Sequence, residues 1–339
     1  MNIVLSSIAA LKNPRESARI TILLLAKELQ KQGHEVRIIA RGSGQEQIQG
    51  VVVYRTSLIK IPWLLYILNK QKKIDIIHCF SAAPVFILPH IFSPGKIVFS
   101  LKSYSRTRWG RVGYSFLAFA RAITVPTAFF SSRLPFKKKM HILHSPIDTD
   151  KFYPASENKL HKKKIVYYGA LSENKGIRIL LQIVPYVVQQ EPEAQFQICS
   201  RHANIQHWLN LARELGIDKH CNFITSYVDI AQEVRSAGVI VLPYLNLRGT
   251  DGNPSCLLEA MVSEISVVTT DLPELREITQ GCVELAPVAN SLQFANKIVR
   301  ALHHPNVSNL KKAVKIAQEY SALIVSKEAE KLYQNVLNQ

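Results

Sequence analysis

Short β-branched runs alternate along this chain with longer segments whose apolar residues recur every three to four positions. Ile3–Leu5 reads as a first buried strand. Arg15–Gln32 has helical spacing, with Ile20, Leu23, Leu24, Ala26, Lys27 and Leu29 on one face, and Gly33 ends it. Strands are expected at Glu35–Ala40, Val51–Tyr54, Ile74–Cys79, Lys96–Leu101 and Ala122–Pro126, with a helix over Trp63–Lys73. Continuous apolar strands separated by helices predict a parallel sheet with crossover helices.

The stretch Ser145–Lys164 is polar, carries proline and ends in a basic run, so it reads as a linker. The same rhythm then resumes. Strands are expected at Ile165–Tyr168, Gln195–Cys199, Asn222–Ile224, Val239–Leu242 and Val267–Thr269, and helices at Ile177–Gln190 and Ile205–Leu215. This gives an α/β chain of two Rossmann-like domains, residues 1–150 and 151–320. The last segment, 321–339, is an amphipathic helix expected to pack back on the first domain.

A length of 339 residues suits two such cores better than one. Hydrophobic residues make up 47% and charged residues 20%, a globular composition. The five cysteines are scattered and form no C-x-x-C pair, so neither a disulfide framework nor a zinc site is expected. No run approaches the ~20 apolar residues of a spanning helix. No basic stretch precedes the first apolar run, so a signal peptide is not expected and a cytoplasmic location is. The net charge of +17 is uneven. Residues 1–150 carry 22 Lys+Arg against 7 Asp+Glu, and residues 151–339 carry 20 against 18. A basic first half points to an anionic partner, or to no more than a soluble basic surface.

The most specific stretch opens at Gly249: GTDGNPSCLLEAMVSEISVVTTDLPELREI. It resembles the E-x7-E segment of the family-4 (group 1) retaining glycosyltransferases. That resemblance implies the GT-B fold, two Rossmann-like domains whose parallel sheets face across a cleft that closes on substrate. It implies a nucleoside-diphosphate sugar as donor substrate, with no cofactor and no metal. It also implies that Asp251 contacts the donor sugar and that Glu259, eight residues on, binds the ribose. A loop opening a helix presents backbone N–H groups to an anion. Asn253, Ser255, Cys256, Leu257 and Leu258 are therefore the binding candidates, with Ser255, Cys256 and Leu257 as the amide donors. The alternative reading of the two acids is an exposed pair favoured by the helix dipole.

A second stretch, GALSENKG (169–176), resembles the family's Gly-Arg-Leu-Ser-x-x-Lys-Gly loop. There the Arg and Lys neutralise the donor diphosphate, a role the resemblance gives to Lys175. The Arg position is Ala170, which removes a bidentate phosphate donor. Arg201, after the strand Gln195–Cys199, is a candidate to lean into the same site. Weaker similarities run over nearly the whole chain: ARITILLLAKELQKQGHEVRII, IDIIHCFSAAP and HILHSPIDTDKFYP. Two further departures stand out. Where many members have a histidine after the strand Lys96–Leu101, this chain has Lys102, which takes that catalytic position. The usual glycine-rich first loop is replaced by SSIAALKNPRES. His34 reads as a structural residue at a turn. His78, placed at a strand end, is structural or a site residue.

Leu58–Lys73 and Ser103–Arg121 join aromatic residues to basic clusters. Such segments suit a helix lying on an anionic membrane surface, or ordinary packing with a solvated basic face. No recognised nucleic-acid motif accompanies them, and a nucleic-acid partner is not expected. Two functions stay open. One is sugar transfer to a lipid-linked or glycan acceptor at the inner face of the cytoplasmic membrane. The other is a degenerate GT-B protein that binds nucleotide sugar or a partner without turnover.

Overall fold

The computed structural model describes residues 1–7, 17–103, 113–134, 136–154, 161–201, 205–248, 250 and 252–339. In chain order the elements of the first part are β1 (Asn2–Ser7), α1 (Ser17–Lys31), β2 (Glu35–Arg41), β3 (Gly44–Ile48), β4 (Val51–Thr56), α2 (Ile61–Gln71), β5 (Ile76–Ser81), β6 (Lys96–Leu101), β7 (Ala122–Val125), α3 (Ala128–Ser132) and β8 (Met140–Ile142). Then follow β9 (His161–Tyr168), α4 (Ile177–Gln190), β10 (Gln195–Cys199), α5 (Gln206–Glu214), β11 (Cys221–Ile224), α6 (Ile230–Arg235), β12 (Ala237–Leu242), α7 (Ser255–Val262), β13 (Ser266–Thr270), α8 (Pro273–Thr279), β14 (Glu284–Ala286), α9 (Ser291–His303), α10 (Val307–Gln318) and α11 (Ala322–Leu337).

These elements form two compact units. The first comprises Met1–Ile147, Arg248–Gly252 and Tyr320–Gln339, and the second Asp148–Leu247 and Asn253–Glu319. The sheet of the first unit has the order β3-β4-β2-β1-β5-β6-β7-β8. Its strands run parallel except β3, which pairs antiparallel with β4. The second unit has a wholly parallel sheet, β11-β10-β9-β12-β13-β14. Every residue of β1 and β5 is buried, because helices cover both faces, which is why these strands read as unbroken apolar runs.

On one face of the first sheet, Leu25, Ala26 and Leu29 of α1 and Val325, Ala329 and Tyr333 of α11 pack over Ile3, Leu5 and Val98. On the other, Ile61, Leu65 and Leu68 of α2 join Phe86, Leu117 and Phe130 over Ile77, Phe99 and Ile123. The C-terminal helix is therefore part of the first unit's core. Lys96 Nζ donates to the carbonyls of Val336 and Leu337, both at 3.0 Å, and so caps the helix end. In the second unit α4 contributes Ile177, Leu180, Leu181, Val184 and Val187 to a core shared with Phe196, Val241, Phe294 and Ile298.

The structure corrects several sequence expectations. Polar β3 (GQEQI) gives no apolar alternation because it is an edge strand with four exposed residues. The expected linker ends earlier, since β9 begins at His161; Lys163 and Lys164 stay on the strand by pairing with Glu193 and Glu233. His78 lies within β5 and not at its end, because the strand continues to Ser81. Its ring is fully buried, with Nδ1 2.6 Å from the Tyr333 hydroxyl and Nε2 2.7 Å from Ser100 Oγ. Burial and the nearby Lys102 charge hold the imidazole well below its ordinary range, so it stays neutral and structural. Residues 104–112 of the basic-aromatic run Ser103–Arg121 lie outside the described residues, which resume at 113 with a 3-10 turn to Phe119. No helix among the described residues is long and apolar enough to cross a membrane.

Tyr333→Phe removes the hydroxyl facing a buried imidazole nitrogen and leaves that nitrogen without its partner. Urea unfolding is expected to show a loss of about 1–3 kcal/mol; an unchanged midpoint would mean that the bond carries no stability.

Candidate functional site

The sequence-predicted residues of the second unit converge at the C-terminal edge of its sheet, where open α/β folds bind ligands. The turn after β9 is fixed from several sides. Gly169 N–H donates to the Cys199 carbonyl at 3.0 Å, and the Tyr167 hydroxyl to the Ala170 carbonyl at 2.7 Å. A 3-10 turn, Glu173–Lys175, then leads into α4 through Gly176, whose φ is +76°. A Cβ on Gly176 would lie 1.7 Å from the Pro243 carbonyl oxygen, so only glycine lets the turn sit this close to the chain leaving β12. The Leu245 N–H completes the join by donating to the Asn174 carbonyl at 3.1 Å. This holds Lys175 Nζ 5.0 Å from the centre of the Tyr244 ring.

Helix α7 approaches the same place. Its first turn follows Pro254 and carries no side-chain cap. The Tyr244 hydroxyl lies 2.8 Å from Cys256 Sγ, and the Tyr168 hydroxyl donates to the Cys256 carbonyl at 2.7 Å. Both phenols are pushed up by burial and by neighbouring acidic groups, so both remain protonated donors. Burial also pushes up the Cys256 thiol, partly opposed by the charge of Lys175.

Glu259, one turn along α7, keeps a narrow opening to solvent, but protein packs closely around its carboxyl. That burial pushes the acid up to about 7. The neighbouring Tyr168 and Ser255 hydroxyls and the charges of Lys151 and Arg201 pull the other way without cancelling it. Lys151 also pairs with Asp229 at 3.5 Å. Exposed Arg201 is thus within electrostatic reach of Glu259.

The remaining sequence-predicted residues are placed differently. Leu257 and Leu258 are fully buried core side chains, and both amides donate to the Pro254 carbonyl, at 3.1 and 3.4 Å. The expectation that the Leu257 amide serves a ligand is corrected: the helix's own first turn uses it. Asn253 is fully buried. Asp251 lies outside the described residues. Lys102 belongs to the first unit, where its Nζ donates to Ser145 Oγ at 2.6 Å and sits 5.6 Å from the Phe80 ring. Its carbonyl accepts from the Gly252 N–H at 3.0 Å, and a Cβ on Gly252 would lie 2.4 Å from the Pro126 ring. Sequence reasoning missed Tyr168, Tyr244 and Lys151. The two tyrosines stand at or just past the ends of β9 and β12, a position that marks the ligand edge of such sheets and was the available signal.

The raised acid has a stability signature. Above about pH 4.3 the unfolded chain ionises Glu259 while the folded chain keeps it protonated until about 7. The contribution of the neutral acid is therefore full below the unfolded value and lost as pH rises through the folded one. Glu259→Gln, neutral throughout, is expected to gain on the parent between about pH 5 and pH 8 by roughly 2–3 kcal/mol in urea unfolding. Parallel pH profiles for the two proteins would place the carboxyl in an ordinary environment.

Comparison with known proteins agrees with this architecture. Residues 18–151 match the model of Glycosyltransferase Family 4, and residues 162–304 that of Glycosyl transferases group 1. An uncharacterized glycosyltransferase of Haemophilus influenzae is 28% identical over 110 residues, which span 32% of this chain and 30% of that protein. Among solved structures, a glycosyltransferase from Rickettsia africae superposes with a TM-score of 0.78 at 15% identity, covering 99% of this chain and 98% of its own. Anabaena HepE in complex with UDP gives 0.79 at 13% identity, covering 99% and 100%. The catalytic domain of Arabidopsis thaliana starch synthase IV, bound to ADP and acarbose, gives 0.75 at 13%, covering both chains fully. With two parallel-sheet units and both halves matched, the chain belongs to the family-4, group 1 glycosyltransferases of the GT-B fold.

Proposed function

We propose that this protein is a retaining hexosyltransferase that moves a sugar from a nucleoside-diphosphate sugar to an acceptor hydroxyl. The observation that carries the reading is the convergence of Lys175, Arg201, the first turn of α7 and enclosed Glu259 at one sheet edge. Glu259, ionised, accepts hydrogen bonds from the two ribose hydroxyls. Lys175 and the amides of Ser255 and Cys256 hold the diphosphate. Asp251 meets the donor sugar. The related structures with UDP and with ADP support a nucleotide donor without fixing its base.

In the transfer, the bond between the anomeric carbon and the diphosphate oxygen breaks, and the electron pair leaves with the nucleoside diphosphate. A bond from the acceptor oxygen forms on the same face, and the acceptor's proton passes to the leaving phosphate oxygen. Developing charge on that phosphate is what Lys175 stabilises. Ala170 lacks the guanidinium usual at its position, and Arg201 takes over part of that charge. The acceptor is a lipid-linked or glycan hydroxyl, met by the first unit. A second reading has its own support. Lys102 is committed to Ser145, and Ala170 carries no charge, so a protein that binds nucleotide sugar without turnover fits these two positions.

The test is thermal shift against UDP-, GDP-, ADP- and CMP-sugars, followed by transfer assays with the donor that binds. Glu259→Ala is expected to abolish the shift, and Lys175→Ala to lower turnover about 10²–10³-fold. Donor binding without turnover selects the second reading, and a shift that survives Glu259→Ala removes Glu259 from the donor site.

A further inference from the structure

Between Glu46 and Asp148 the sequence holds fifteen Lys+Arg and a single acidic residue, Asp75. Asp75 is occupied, since its carboxylate accepts from the Asn2 N–H at 2.8 Å. Six of the fifteen, Arg55, Lys60, Lys70, Lys72, Lys73 and Lys96, lie on the stretch from β4 to β6 that includes α2.

The outer surface of that layer is not purely polar. A 3-10 turn, Leu58–Lys60, runs directly into α2. Ile61, Leu65 and Leu68 face the sheet and are buried, while Ile59, Trp63, Tyr66 and Lys70 form the opposite stripe at helical spacing. Ile59 is 91% exposed, Trp63 66% and Tyr66 55%. Lys70 Nζ stands 5.0 Å from the Tyr66 ring. The neighbouring 3-10 turn Pro84–His90 packs against α2 and is followed by Phe92, which is 93% exposed. Gly95, three residues beyond Phe92, sits against Ile74, the residue after Lys73.

We infer that this face, Ile59, Trp63, Tyr66 and Phe92 ringed by Lys60, Lys70 and Lys73, docks on an anionic phospholipid bilayer. Each part of the patch matches one layer of that partner. Trp and Tyr rings suit the headgroup boundary, the apolar tips of Ile59 and Phe92 reach the acyl region, and the lysines meet lipid phosphates. A nucleic acid would satisfy the lysines but give an aliphatic side chain such as Ile59 nothing to stack on. The stripe lies in the first unit and shares no residue with the donor site, so either reading stands or falls alone.

The experiment is vesicle flotation of the full chain with phosphatidylglycerol in phosphatidylcholine, against phosphatidylcholine alone. The protein is expected to float only with the anionic vesicles and to be released as salt rises from about 0.1 M to about 0.5 M. Trp63→Ser with Tyr66→Ser, and separately Lys60→Glu, Lys70→Glu and Lys73→Glu together, are expected to cut partitioning about tenfold or more. Lys219→Glu, Lys311→Glu and Lys315→Glu together change net charge equally on the second unit and are expected to retain binding. Donor-independent melting curves of each variant verify that it is folded. Absence of flotation, flotation untouched by both patch variants, or equal loss in the second-unit control would each overturn the proposal; the first would leave the patch to a protein partner.

Discussion

The close approach of Gly176 to the Pro243 carbonyl is the constraint from which the rest of the site follows. A side chain at 176 would overlap that oxygen, and the backbone there is left-handed, so two independent requirements fall on one glycine. Because the approach is made, the turn after β9 is tied to the chain leaving β12 through Asn174 and Leu245. Lys175 then has little freedom. Its ammonium lies over the Tyr244 ring, an attraction of about 0.5–1 kcal/mol at an accessible position, strong enough to orient the charge and weak enough to yield to a phosphate. Tyr244 in turn touches Cys256, so the same contact sets the distance between Lys175 and the first turn of α7.

Around that frame the protein maintains an arrangement that its own stability does not favour. A carboxyl pushed up to about 7 by its surroundings opposes folding at neutral pH, because the unfolded chain ionises it freely. Two neighbouring hydroxyls and two positive charges reduce that cost without removing it. A glutamine of similar shape would avoid the cost. Retaining an acid where a neutral side chain would be more stable is the kind of local inconsistency that marks a working site.

Legibility in the sequence tracked how directly a pattern maps onto one physical cause. The helix Ile177–Gln190 and the strand Gln195–Cys199 were readable to the residue, because amphipathic and buried periodicities there are uninterrupted. Pro185 did not mislead, since the apolar period continues through it. Strand β3 was invisible because its residues are polar, being held by one neighbouring strand and little core. In the site, Glu259 and Lys175 were readable because they stand in ordered motifs, whereas the Leu257 amide was misassigned because a motif does not reveal which N–H groups the helix itself consumes. Tyr168 and Tyr244 escaped because a tyrosine ending a strand looks like any core aromatic until the sheet edge is known. His78 was misplaced by a strand that runs two residues further than its expected end at Cys79.

Charge is also divided in a way the donor chemistry does not require. A diphosphate site needs cations, yet the second unit, which supplies Lys175, Lys151 and Arg201, comes from a stretch that is nearly balanced, 20 basic residues against 18 acidic. The surplus lies in the first 150 residues, 22 against 7. Surface charges act over a Debye length of about 8 Å at physiological salt, so lysines on the outer stripe of α2 are felt by whatever approaches that stripe. Lys175 is instead held over an aromatic ring in a partly enclosed setting, where a charge is screened less. On the proposal made for this stripe, the lysines around Trp63 and Tyr66 are numerous because each is screened, and an extended polyanionic surface rewards their number.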